Sequence, residues 1–116
     1  MARNLKPAHL KKLIETEAPN GYKFDLANYV YNPSYAYDYP SFQKAIAEDE
    51  KSVTYNRIYY FKYHGGNGEY ISETFTSPKK SPDGNPWVIS SNRKETVLEA
   101  ADRFSLKKLL SLIPTE

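Results

Sequence analysis

Residues 53–77 read VTYNRIYYFKYHGGNGEYISETFTS, and this stretch decides the fold. Val53, Tyr55, Tyr59, Phe61 and Tyr63 share one parity, interrupted by Arg57, while Ile58 and Tyr60 occupy the other. Alternation among β-branched and aromatic residues is the pattern of a strand with two differently used faces. Gly65-Gly66-Asn67-Gly68 then offers the positive φ values of a tight hairpin loop. The return strand carries Tyr70, Ile71, Thr74 and Phe75. A tight loop at this place brings Glu73 across from Tyr60 or Phe61, and so close to Lys62.

Towards the N-terminus, Ser41 is placed to cap a short helix with Phe42, Ala45 and Ile46 facing inward. Its acidic end, Glu48-Asp49-Glu50, opposes the helix dipole and predicts fraying there. Residues 32–40 hold Pro33 and Pro40, which lack ladder donors, so they read as a tyrosine-rich loop. Tyr22–Tyr31 reads as a strand, and residues 5–17 as a first helix with Pro7 in its opening turn and Leu10, Leu13 and Ile14 on one face. Pro19 and Asn20-Gly21 end that helix in a turn.

Towards the C-terminus, a proline- and lysine-rich loop spans 77–86, and Trp87-Val88-Ile89 reads as a short third strand of the meander. Asn92 and Glu95 stand at capping-box spacing and predict a helix. Two apolar stripes follow: Val97, Leu98, Ala101 and Phe104, then Leu106, Leu109, Leu110 and Ile113. On a 3.6-residue turn the stripes point roughly 130° apart, which predicts a break at Ser105 rather than one straight helix. The second stripe then either folds back on the core or drives self-association. The expected architecture is one α+β domain over 1–116, in the order α-β-α-β-β-β-α(α). An antiparallel β-meander of three to four strands packs against N-terminal and C-terminal helices.

Composition narrows function more than it names it. The 116 residues are 40% hydrophobic and 26% charged, the balance of a globular chain. Cysteine is absent, which removes disulfide scaffolds, thiolate metal sites and cysteine nucleophiles. No apolar run is long enough to span a bilayer and no charged-then-apolar leader opens the sequence, so a cytoplasmic location without membrane contact is expected. Only His9 and His64 are neutral-pH bases by type, and no H-E-x-x-H, P-loop or G-x-S-x-G motif occurs, so no enzyme, cofactor or metal is expected.

Sixteen Lys and Arg against fourteen Asp and Glu leave a net charge of +2, yet residues 51–94 hold seven basic side chains against three acidic ones. Basic residues interleaved with tyrosines suit base stacking and phosphate neutralisation. Arg57, Tyr59, Lys62, His64, Lys79, Lys80, Arg93 and Lys94 are therefore the candidate nucleic-acid contacts. Ser77-Pro78-Lys79-Lys80 is similar to the S-P-K-K element of chromatin proteins that enter A·T-rich minor grooves.

In layout, α-β-β-β-α over 41–113 resembles the double-stranded RNA-binding domain, which would put His64-Gly65-Gly66 and Arg93-Lys94 on adjacent grooves. The segment lacks that family's Gly-Pro-x-His loop and its lysine cluster. Residues 59–104 resemble equally the three-strand-plus-helix DNA-binding domains of phage integrases and plant transcription factors. The rival reading is a protein-interaction or inhibitor module, an accessory protein of a phage or mobile element, that binds through Tyr31, Tyr35, Tyr37 and Tyr39, since tyrosine gives large contact area for little entropy loss. A third is a small metal-independent ribonuclease using Arg57, Lys62, His64 and Glu73.

Overall fold

The computed structural model describes residues 7–25, 39–62, 66–90 and 92–115. A helix, α1 (Pro7–Glu15), leads through a one-turn 3₁₀ segment at Pro19–Gly21 into the two-residue strand β1 (Lys23–Phe24). Then come β2 (Phe42–Glu48), β3 (Ser52–Lys62), β4 (Gly68–Pro78) and β5 (Arg93–Ala101), and a short helix α2 (Leu106–Ser111). The strands form one antiparallel sheet in sequence order, β1-β2-β3-β4-β5. Among the described residues the structure is thus mostly β with two short α-helices, and the expected α+β layout holds only in this coarser sense.

Three segments differ from expectation. Residues 42–48 are strand β2, not a helix: Phe42 pairs with Ile58 and is fully buried, a gain that helix propensity at Ala45 and Ala47 does not match. The acidic run after it makes a turn instead, in which the Asp49 carboxylate accepts the Lys51 and Ser52 amides at 2.8 and 2.7 Å. Residues 93–101 are strand β5, and the capping-box spacing of Asn92 and Glu95 goes unused, because the open edge of β4 takes the segment as a ladder. Trp87–Ile89 belongs to no strand; the loop there has a single bridge, Lys80 to Pro86. Residues 23–24 join the sheet as β1, whereas 26–38 lie outside the described residues.

The main core cluster lies on one face, here called inner, while Ile71, 6% exposed, is buried on the other. Tyr22, Phe42, Ile58, Tyr60 and Tyr70 are buried on the inner face with Leu109 and Ile113 from the C-terminal segment. Tyrosine serves as core because each hydroxyl finds an acceptor or donor. Tyr22 Oη donates to Asn56 Oδ1 at 2.6 Å, Tyr60 Oη donates to the Ala101 carbonyl at 2.8 Å, and Tyr70 Oη accepts the Ser105 amide at 2.8 Å. Burial pushes the Tyr22 and Tyr60 hydroxyl pKa values up.

The break at Ser105 is present: its hydroxyl accepts the Lys108 amide at 3.3 Å as the cap of α2. The Leu106–Ile113 stripe folds back on the core, with Leu109 0% exposed and Leu106 and Leu110 packed against the cluster, so it is not free for self-association. At the β3–β4 hairpin, neither Asn67 nor Gly68 has a positive φ, contrary to the tight-loop expectation. Gly68 is required for a different reason: a Cβ there would lie 1.9 Å from Tyr60 Oη.

Candidate functional site

The opposite, outer face of the sheet takes the other parity. Lys62 pairs with Gly68 and the connection runs over 63–67, longer than a tight loop, so Glu73 stands opposite Arg57 rather than Tyr60 or Phe61. On β5, Arg93 and Glu95 pair with Phe75 and Glu73. Two carboxylates directly opposite repel, and the face resolves this with cations and a hydroxyl. Arg57 pairs with Glu73 through one guanidinium nitrogen and with Asp25 through the other at 3.4 Å. Arg93 Nε lies 3.3 Å from the second Glu73 oxygen. Tyr59 Oη donates to Glu95 at 2.5 Å.

Glu73, only 2% exposed, thus ties β3 to β5, while Arg57 reaches on to the residue after β1. The guanidinium carbon of Arg57 sits 5.1 Å from the Phe75 ring centre and 5.5 Å from that of Tyr59, within cation–π range. Phe75 also stacks on Tyr55, centres 5.5 Å apart. Burial, then the bond to Glu95 and the charge of Glu73, raise the Tyr59 hydroxyl pKa well above its ordinary value. None of these outer-face residues belongs to the core cluster. Arg93 is 62% exposed at the side chain and Val97 is 53% exposed, so the β5 margin of the face meets solvent.

Only some of the candidate nucleic-acid residues share this surface. Arg57, Tyr59 and Arg93 are on the outer face and engaged with carboxylates. Lys62 extends from the inner parity and donates to the Asp102 carbonyl at 2.9 Å, and Lys94 also has the inner parity, opposite Thr74. Lys79 pairs with Glu48 across the β2–β3 turn, and Lys80 follows it in the loop. His64 lies outside the described residues, so of the four ribonuclease candidates the structure brings together only Arg57 and Glu73, with Lys62 at the far end of β3. Tyr31, Tyr35 and Tyr37 are also outside the described residues, whereas Tyr39 packs edge-on against Tyr60 and beside Phe104, centres 5.0 Å away in both cases.

Sequence reasoning missed Asp25, Glu95 and the Tyr55–Phe75 pair. A signal for the register was present: a hairpin centred on Gly65 instead of Gly66-Asn67 aligns Arg57 with Glu73. Among the described residues no cluster of three or more His, Asp or Glu is placed to hold a metal ion, and no helix is long and apolar enough to cross a membrane. No protein-family model, curated protein or solved structure matches this chain.

Proposed function

We propose that this chain is a non-enzymatic module that binds a protein partner through the outer face of β3–β5. The observation that carries the reading is the charge balance of that face. Lys23, Arg57 and Arg93 are set against Asp25, Glu69, Glu73 and Glu95 on the same parity, interleaved with Tyr55, Tyr59, Phe61 and Phe75. A polyanion gains its affinity from uncompensated cations, and here two arginines are matched by their own carboxylates. Tyrosine, phenylalanine and arginine in a charge-balanced patch instead suit the centre of a protein interface, where paired charges and rigid aromatic area give specificity at low entropic cost.

The test places a photo-crosslinking amino acid at Val97, with Lys107 on α2 as the control position. Irradiation in cells is expected to give a discrete protein adduct at Val97 that nuclease does not shift and Arg93→Glu abolishes. An adduct that nuclease removes would favour the nucleic-acid reading instead. Equal labelling at both positions would contradict the outer face as the docking surface.

A further inference from the structure

β5 closes one side of the sheet, and no strand among the described residues lies along its far edge. It runs over Arg93–Ala101 without a proline, about 30 Å of ladder donors and acceptors. Every side chain from Arg93 to Leu98 is exposed, so neither face of the strand is covered there. Val97 and Leu98 add apolar surface at 53% and 39% exposure. The opposite side of the sheet offers less, because β1 covers Phe42 and Gln43 and the rest of β2 is bulged at Ile46.

A second bulge decides what β5 can pair with. Ile71 faces Val97 and Tyr70 faces Glu99, which leaves Leu98 as the extra residue. In a regular strand residues 94 and 99 would point to opposite faces, since their separation is odd. The bulge puts both on the inner parity, Lys94 opposite Thr74 and Glu99 opposite Tyr70. Lys94 makes no ion pair among the described residues. Glu99 receives Lys108 at 2.8 Å on Oε1 only.

Two copies of β5 laid edge to edge and antiparallel must set side chains of the same face opposite each other. Near the middle of the strand, that condition allows a two-fold axis at Glu95, Thr96 or Val97. An axis at Glu95 sets that carboxylate against its own copy, and an axis at Val97 sets Lys94 against Ala101. An axis at Thr96 sets Lys94 against Glu99 of the second copy, twice, with the two threonines opposite each other between them. Opposite charges and paired threonines at such positions are favourable, and like charges are not. We propose that a second copy of this chain pairs with β5 in the Thr96 register and joins the two sheets into one. Such a contact closes at two copies, whereas β5 laid on the β2 edge of another copy would propagate into a fibre. It is one strand wide, so the dimer should dissociate on dilution. It uses the edge of the strand and does not rest on the outer-face reading.

Sedimentation equilibrium of the whole protein between about 1 μM and about 1 mM is expected to show the mass rise from one chain to two and stop. Lys94→Glu and Glu99→Lys, each alone, set like charges opposite each other. Each should raise the dissociation constant about tenfold or more, with a Tm little changed in dilute solution. An equimolar mixture of the two variants restores both unlike pairs in the mixed dimer and should regain the lost affinity. A single-chain mass up to about 1 mM, growth past two chains, single variants that dimerise like the unaltered protein, or a mixture no tighter than either variant alone would each overturn the proposal.

Discussion

Glu73 shows how one side chain can hold three strands. Its carboxylate is nearly inaccessible, faces Glu95 across the ladder, and is satisfied by arginines from β3 and β5. Removing one member of a buried ion pair leaves the other charge unmatched and costs about 3–5 kcal/mol. Glu73→Ala is expected to lower the unfolding free energy by that amount, read from a fall in the denaturant midpoint, and a midpoint equal to the unaltered protein's would show that Arg57 is held by Asp25 alone. Gly68 acts through sterics: Gly68→Ala drives a methyl group into the buried Tyr60 ring and away from its bond to Ala101. Overpacking of this kind costs about 1–3 kcal/mol. An unchanged Tm in Gly68→Ala would mean that the hairpin end opens without resistance.

At the scale of elements, the turn between β2 and β3 rests on Asp49. Hydrogen bonds from the Lys51 and Ser52 amides and the Ser52 hydroxyl hold its carboxyl below the usual aspartate range. A lowered folded-state pKa contributes stability that is present above the unfolded value and is lost as pH falls through the folded one. Thermal stability should therefore decline from about pH 5 downward, and less steeply in Asp49→Asn; identical slopes would remove Asp49 from the turn's energetics. The C-terminal helix supplies Leu109 to the core, followed by Ile113. Truncation after Phe104 should abolish cooperative unfolding seen by circular dichroism, whereas a folded truncation of altered mass would make the stripe an interface.

β3 and β4 were legible in the sequence from long alternation, and the first helix from its 3.6-residue stripe; the cap at Ser105 is present, but it follows strand β5 and not the first of the two helical stripes from which it was expected. Segments 42–48 and 93–101, read from local signals, were not legible. Asn92 and Glu95 have the spacing of a helix start, but such a signal acts only where the backbone has no better partner, and β4 offers a ladder to 93–101. Ala45 and Ala47 favour a helix in isolation, yet Phe42 is worth more against Ile58. The outer-face site was half legible. Arg57, Tyr59 and Arg93 stood out by type, but their carboxylate partners depend on a register that a two-residue shift in the loop changes.

For the whole molecule, the sheet separates two tasks. The inner face spends its tyrosines on the core, and the outer face keeps aromatic rings among matched charges. That division sets the expected partner, because among the described residues of β3–β5 and the β4–β5 loop the basic side chains outside any ion pair, such as Lys80 and Lys94, are scattered. The most direct measurement is fluorescence anisotropy of labelled single-stranded DNA and double-stranded RNA titrated with the protein at low and at physiological salt. No saturable binding at either salt is the expected result. Tight binding at low salt that falls steeply with added salt, and weakens on neutralising Lys62, Lys80 and Lys94, would contradict a protein-binding face and identify a nucleic-acid partner.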